Sequence, residues 1–426
     1  MQLTFRNIGK IKEANVKLDG ITVIAGENNT GKSTVGKVLY SVFNSFYRIQ
    51  EQIYNEKADS IEKAINNFIR SDVNLRLNRL VAEPEIINEM LENPNKYISQ
   101  PELLKQNIIT YITQLDNLKS NVNLEGIDSL VVKINDILNL LDYDIVKTVI
   151  KNKLNIEFNG QINNIYSERE GFVELIIKGK PVSINISDNN VNHISDIFYL
   201  NTEIIYIDDP FVLDEQGFRP FYKRYSNYID HRDHIKSKLF TNNTNLNIIN
   251  EILATNKLDN IFLKINKILS GEMVRGGRSS NFVYKEKGTE KLLDIRNMSA
   301  GLKTFVIIKT LLQNGSLEEN GTIILDEPEI HLHPEWQLIF AELIVLIQKE
   351  FGMHILLNTH SPYFLNAIEV YSAKYKIADR CNYYMATSSD SSDTSTIIDV
   401  TNDIEKIYQK LARPLQDLEN ERYSND

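Results

Sequence analysis

The stretch GENNTGKST, Gly26 to Thr34, follows the apolar run ITVIAG and opens KSTVGKVLYSVFNSF, whose apolar residues recur at helical spacing. It fits the pattern G-x-x-x-x-G-K-[ST], and the strand before it and helix after it are the context in which that pattern has meaning. The N–H groups of such a loop can curl round a phosphate only where glycine permits the turns. The helix that follows then offers its positive N-terminal end. Gly26, Asn28, Asn29, Thr30, Gly31, Lys32, Ser33 and Thr34 are therefore expected to surround the phosphates of ATP. Lys32 would reach the β- and γ-phosphates and the Ser33 hydroxyl would ligate Mg²⁺. The competing reading, a chance match in a Gly-rich turn, does not account for the flanking strand and helix.

A second stretch answers the first. TIILDEP, Thr322 to Pro328, is an apolar strand ending in two carboxylates. Alone, such a pair reads equally well as a solvated turn. Paired with a phosphate loop, Asp326 is expected to hold the Mg²⁺ hydration shell and Glu327 to polarise the attacking water. Strand burial would keep both groups dry and fixed, which strengthens their electrostatic effect. His331 and His333 follow closely and raise the question of zinc. Two residues apart in an extended segment they point to opposite sides, and no cysteine or further carboxylate cluster completes a four-ligand set. HRDH, His231 to His234, is equally thin as a metal motif and reads as a solvated helix face.

Composition sets the outer bounds. The 426 residues, 42% hydrophobic and 24% charged, describe a globular chain with a buried core. That length suits one α/β core with a large insertion as well as two or three domains. A net charge of -10 argues against a whole-surface nucleic-acid binder while leaving room for a local basic groove. One cysteine, Cys381, allows no intrachain disulfide and suits a reducing compartment. The N-terminus is broken by charges and the longest apolar run, LIVLIQ, is too short to span a bilayer. The expected location is cytoplasmic, without a membrane partner.

Along the chain, residues 1–48 read as strands LTFRNI, EANVKL and ITVIAG followed by a helix, the N-terminal part of an ATPase head. Residues 49–155 change to long helical stretches rich in Asn, Lys, Leu and Ile, whose heptads are too irregular for a long coiled coil; a compact helical insertion is expected. Residues 156–270 return to a sheet through a hairpin turning near Gly179 and the strand TEIIYID. That part continues with a mostly helical segment in which Arg219, Lys223, Arg224 and Tyr225 interleave basic and aromatic character. Residues 271–426 alternate strands and helices, close with a short β pair, CNYYMAT and STIIDVT, and a charged helix, and place the polar loop SSDSSDTS between the two strands. Strands alternating with helices imply a parallel sheet covered on both faces. The fold class is α/β, with a mixed or parallel sheet and a large helical insertion.

NMSAGLKTF before the acidic strand, DEPEIHLHP on it and NTHSPYFL after it resemble the ABC-type ATPases of the SMC, RecF and OLD-nuclease class. The resembling motifs lie within about 1–48 and 290–370 and keep the family's order. The resemblance implies that Ser299 and Gly301 belong to a signature that meets the γ-phosphate of ATP bound to another subunit, and that His360 is the switch histidine. Ala300, Leu302 and His333 depart from the usual signature glycine, signature glutamine and D-loop aspartate. The first two suit the OLD-like branch. Gln216 is the candidate for the Q-loop glutamine.

An ABC-type site is split, so the resemblance further implies a homodimer or higher even oligomer with ATP as the interface glue. OLD nucleases continue into a metal-dependent nuclease module; the stretch after His360 carries no Asp-x-Asp on a strand. The expectation is an ATP-binding and hydrolysing switch that controls a separately encoded effector, such as a nuclease or toxin, as the stand-alone ATPases of Septu, PARIS and some retron systems do in anti-phage defence. DNA or RNA is a further candidate partner. Two alternatives stay open: a RecF-like repair ATPase binding DNA through its own surface, and an ATPase with an intrinsic nuclease of unfamiliar motif.

Overall fold

The first three strands, β1 (Gln2–Ile8), β2 (Ile11–Lys17) and β3 (Ile21–Gly26), carry two different burial patterns. β1 and β2 largely alternate between buried and exposed positions, as strands with one open face do, whereas β3 is buried throughout. That difference sets their neighbours in the sheet. α1 (Lys32–Phe46) leaves β3 through the phosphate-loop sequence.

The computed structural model describes residues 1–71, 84–114, 126–215, 229–240, 259–275, 282–389 and 392–424. The chain divides into two compact units, one built from residues 1–47 with the described parts of 150–215 and 229–426, the other from the described parts of 48–149. The second unit is helical: α2 (Ile49–Ser71), α3 (Pro84–Glu92), α4 (Pro94–Ser99), α5 (Pro101–Gln114) and α6 (Ile127–Asn139). Proline opens three of these helices, where its fixed φ favours the first turn and its missing N–H costs nothing. Ile61, Ile65, Met90, Tyr97, Ile108 and Ile134 are among the side chains that form its own core. α7 (Asp142–Glu157) carries the chain back to the first unit.

There, β4 (Gly171–Ile177) and β5 (Lys180–Ser187) form the expected hairpin, with Lys178 and Gly179 both at positive φ in its two-residue turn. β6 (Asn190–Ile194) extends it and β7 (Ile204–Ile207) follows. α8 (His231–Phe240) comes next, and β8 (Glu272–Arg275), β9 (Phe282–Lys285) and β10 (Leu292–Asp294) make a separate three-stranded sheet. The remaining elements are α9 (Ala300–Gln313), β11 (Thr322–Asp326), α10 (Pro334–Phe351), β12 (His354–Thr359), α11 (Pro362–Lys374), β13 (Cys381–Ser389), β14 (Ser392–Asp399) and α12 (Glu405–Ser424).

Among the described residues the main sheet has 11 strands in the order β6-β5-β4-β1-β2-β14-β13-β3-β12-β11-β7. From β13 to β7 neighbouring strands run parallel; from β6 to β2 they run antiparallel. The α/β reading with a mixed sheet is borne out. β13 and β14 are not a peripheral pair: β13 lies parallel to β3 and β14 parallel to β2, so they join the two halves. The polar stretch read as a loop between them is mostly strand, because backbone pairing does not require apolar side chains and the hydroxyls of Ser388 and Ser395 face each other at 3.3 Å.

Alternation along the parallel strands sends neighbouring residues to opposite faces. Ile323 and Leu325 of β11 join the core formed with α9, α10 and α11. Ile324 and Tyr206 turn the other way and lie against Gly36 of α1. Phe305, Phe340 and Phe364 pack in sequence between the three helices of the first face, Phe305 edge-on to Phe340 at 5.4 Å and Phe340 near-parallel to Phe364 at 6.4 Å. Truncating a fully buried ring of this kind costs about 3–5 kcal/mol.

Candidate functional site

β3, β12, β11 and β7 are adjacent and parallel, so their carboxyl ends collect at one edge, the position where open α/β sheets bind ligands. Register decides what meets there. Asp326 stands opposite Asn358, Asn358 opposite Ile24 and Thr359 opposite Ala25, which aligns the ends of the phosphate-loop strand, the acidic strand and the strand that leads to His360.

The loop after β3 leaves Asn28 and Asn29 exposed, with Asn29 at φ 63. Thr30 is buried and its hydroxyl donates to the Glu27 carbonyl at 2.7 Å. Gly31 has φ +81, and a Cβ there would stand 2.5 Å from Ile11 Cδ1, so both the backbone angle and the space require glycine. Lys32 is 4% exposed. Its Nζ donates to the carbonyls of Gly26 (3.0 Å) and Glu27 (2.9 Å) and lies 3.2 Å from Glu327 Oε1. Ser33 and Thr34 follow in the first turn of α1.

Asp326 is buried. Its Oδ2 accepts from the Tyr206 hydroxyl at 2.8 Å and its Oδ1 from Asn358 Nδ2 at 2.9 Å. Glu327 departs from the strand at φ 49, an uncommon conformation for a non-glycine residue, and its N–H donates to the Asn358 carbonyl at 2.9 Å. That turn aims its carboxylate between the side chains of Lys32 and His360: Oε1 also lies 3.3 Å from His360 Nδ1. Lys32, Asp326, Glu327 and His360, read from segments far apart in the chain, thus come together. Hydroxyl and carboxylate oxygens are the donors a hard cation takes, so Ser33 and Asp326 suit Mg²⁺ in chemistry.

Ser299 and Gly301 sit at the start of α9. Ser299 is exposed and caps the helix, accepting from the Leu302 N–H at 3.4 Å. Gly301 is buried against the loop that precedes α10, where a Cβ would come within 2.9 Å of the His331 carbonyl. Lys303, buried one turn on, bonds Asp214 Oδ1 at 2.6 Å and holds the helix start in place.

His331 and His333 have structural partners. The His331 ring meets Phe211 edge-on at 5.3 Å, and His333 Nδ1 accepts from the Glu335 N–H at the start of α10. Among the described residues no group of three or more His, Cys, Asp or Glu is arranged to hold a metal ion. His231 and His234 correct the expectation of a solvated helix face: both are buried. His231 Nδ1 lies 2.7 Å from Glu157 Oε2 and Nε2 lies 3.1 Å from Asp208 Oδ2, while His234 Nε2 lies 2.9 Å from Glu203 Oε2. The acidic partners come from α7 and from the segments flanking β7, so residues remote in the chain made this face the inner one. Burial opposes the charge on His231, but Asp208 and Glu157 outweigh it and push its pKa up to about 9.

Sequence reading missed Tyr206, Asn358 and Glu329. Glu329 is 1% exposed and accepts from the Thr359 hydroxyl, and burial pushes its carboxyl above the usual range. A polar side chain inside or ending an apolar run, as in IIYI and HILLNT, was the available signal. Gln216, Arg219, Lys223, Arg224 and Tyr225 lie outside the described residues.

A protein-family model described as "AAA domain, putative AbiEii toxin, Type IV TA system" matches residues 21–366. The chain belongs to that family. The match covers the phosphate-loop strand, the acidic strand and His360, so this AAA-domain chain carries an ATPase fold related to the OLD-like class its motifs resemble. It is 29% identical over 112 residues to "Retron Vc95 probable ATPase" of Vibrio cholerae serotype O1 biovar El Tor, a match covering 24% of this chain and 21% of that protein. It is 29% identical over 85 residues to an OLD nuclease of Thermus scotoductus, covering 20% and 16% respectively. The matched segments thus span about a fifth of those curated relatives. Among solved structures, an SMC head bound to the C-terminal winged-helix domain of ScpA aligns with 93% of this AAA-domain chain and 96% of its own, at 11% identity and a TM-score of 0.41. No helix among the described residues is long and apolar enough to cross a membrane.

Proposed function

We propose that this chain is an ATP-hydrolysing dimeric switch that controls a separately encoded effector, a nuclease or toxin, in anti-phage defence. The observation that carries the ATPase part is the placement of Glu327 Oε1 between Lys32 Nζ and His360 Nδ1 beside the buried Asp326. The main-chain N–H groups from Gly26 to Thr34 cradle the triphosphate, with Asn28, Asn29 and Thr30 forming the loop's rim. Lys32 pairs with the β- and γ-phosphates. Ser33 and Asp326 would hold Mg²⁺, which when bound would supply positive charge to the phosphate. Glu327 accepts a proton from the attacking water and His360 orients that water against the γ-phosphate.

Ser299 and Gly301 act on the nucleotide of a second copy. Support comes from the exposure of Ser299 at a helix N-terminus, where its hydroxyl and the positive end of the helix suit a phosphate. Two copies then enclose ATP in a homodimer, or in a higher even oligomer, and hydrolysis releases them. The defence role draws on the short matches to the retron ATPase and the OLD nuclease, and it names an effector made by another gene rather than an activity of this chain.

Phosphate release by the purified full chain, with ATP and Mg²⁺, tests the enzyme. Glu327→Gln should retain ATP binding, lose turnover and accumulate as an ATP-bound dimer on size exclusion. Unchanged hydrolysis in that variant would remove Glu327 from its role, and a monomer under saturating ATP would remove the switch. Co-expression with the neighbouring genes tests the effector: a stable complex with a nuclease or toxin is expected, and metal-dependent DNA cleavage by the chain alone would overturn the division of labour.

A further inference from the structure

Asp326 is not held by its own strand alone. The Tyr206 hydroxyl, from the adjacent strand β7, donates to its Oδ2 at 2.8 Å in a fully buried contact. Tyr206 is 1% exposed, and its ring is itself pinned. The imidazole of His231, the first residue of α8, stacks on it with centroids 4.4 Å apart and planes 22° from parallel. Tyr40 of α1 closes the edge, 6.1 Å from Tyr206 and 6.2 Å from His231. His231 has no freedom to leave. Glu157 accepts from its backbone N–H at 2.8 Å and meets its Nδ1 at 2.7 Å, while Asp208 meets its Nε2 at 3.1 Å. Asp208 follows directly after β7 and also accepts from Arg232 Nε at 2.9 Å.

We propose that Tyr206 is a positioning residue for the Asp326 carboxylate, and that His231, clamped between Glu157 and Asp208, acts through Tyr206 by fixing its ring. This rests on the assignment of Asp326 to Mg²⁺ under the proposed function. The physical reason is that a carboxylate at a strand end can rotate about its terminal bond. Two donors on different oxygens, Tyr206 on Oδ2 and Asn358 on Oδ1, hold it in one plane. A buried phenol needs a partner for its hydroxyl, so the bond also serves the packing of Tyr206. An imidazole stacked on the ring, and fixed by two carboxylates, prevents the phenol from swinging away. The result ties the start of α8 and the end of α7 to the metal side of the nucleotide site through a single hydroxyl.

The test titrates Mg²⁺ against the binding of a fluorescent ATP analogue to the full chain, with a parallel titration of the analogue in EDTA. Tyr206→Phe keeps the ring and removes only the hydroxyl. It should raise the Mg²⁺ midpoint about tenfold and leave binding in EDTA unchanged, in line with the loss seen when partners of metal-ligating groups are removed. His231→Gln should shift the midpoint in the same direction by a smaller factor, and the double variant should shift no further than Tyr206→Phe alone. A merely structural role would weaken binding with and without Mg²⁺ alike. The electron paramagnetic resonance spectrum of bound Mn²⁺–ATP gives a second readout, expected to broaden in Tyr206→Phe. A wild-type Mg²⁺ midpoint in Tyr206→Phe overturns the positioning of Asp326, and an additive double variant overturns the route through His231. Should either single variant not fold, the other carries the same comparison. A wild-type chain that binds the analogue with no dependence on Mg²⁺ would count instead against the proposed function.

Discussion

Lys32 Nζ and Glu327 Oε1 stand 3.2 Å apart, joining the first residue of α1 to the residue that follows β11. The lysine is almost wholly enclosed while the glutamate side chain keeps 27% exposure, so the pair opens toward solvent on its acidic side. An ammonium held by two carbonyls and one carboxylate is positioned before any phosphate arrives, which lowers the ordering cost of binding.

Replacing Lys32 by alanine should therefore remove both the charge and the arrangement. ATP affinity is expected to fall about 100-fold, equivalent to roughly 2.7 kcal/mol. Isothermal titration with ATP and Mg²⁺ measures it, and an affinity equal to wild type would dismiss the phosphate-loop assignment.

His360→Ala addresses a different step. Its Nδ1 contacts Glu327 rather than the phosphate loop, so the variant should bind ATP within about threefold of wild type while turnover falls by about 10²-fold or more. Equal losses in binding and turnover would assign His360 to nucleotide affinity instead.

Two glycines with nearly the same backbone angle separate conformation from space. Gly31 has φ +81 with Ile11 in the way of a Cβ, and Gly160 has φ +80 with nothing within 4 Å. Gly160→Ala should cost only the left-handed backbone penalty, about 1–2 kcal/mol. Gly31→Ala should cost more, since Ile11 must also yield, and should weaken ATP binding. Urea unfolding of both variants decides it; equal destabilisation would mean that Ile11 moves freely.

His231 adds a pH dependence with a definite sign. Its folded pKa, about 9, exceeds the ordinary histidine value of 6.5, so the folded chain holds the proton more tightly. Its contribution is complete below about pH 6.5 and is lost as pH rises through about 9; a shift of that size amounts to on the order of 3 kcal/mol. Glu157 and Asp208 face the ring as carboxylates, with Tyr40 and Tyr206 against it and Arg232 competing for Asp208. Urea unfolding at pH 6 to 10 should show the stability difference between wild type and His231→Gln shrinking as pH rises across that interval. Parallel profiles would show that His231 is not the titrating group.

Local spacing carried much of this protein. GENNTGKST has meaning within nine residues, because the chemistry of a phosphate cradle is built from consecutive backbone N–H groups. TIILD announced a buried strand because covered parallel strands are apolar on both faces. The hairpin at Gly179 followed from its turn residues. HRDH was misread because its inner face was created by Glu157, Asp208 and Glu203, which no local pattern links to α8.

The sequence by itself determined the elements and the chemistry each one brings: a glycine-rich turn, an acidic strand end, a histidine after a third strand. Only the tertiary structure decided which of them meet. Pairing β3 with β12, β12 with β11 and β11 with β7 placed Lys32, Asp326, Glu327 and His360 at a single edge and gave Asp326 its two donors. Strand order and register are settled by packing and hydrogen bonding between segments distant in the chain, and a local pattern of residue types carries no record of the partner.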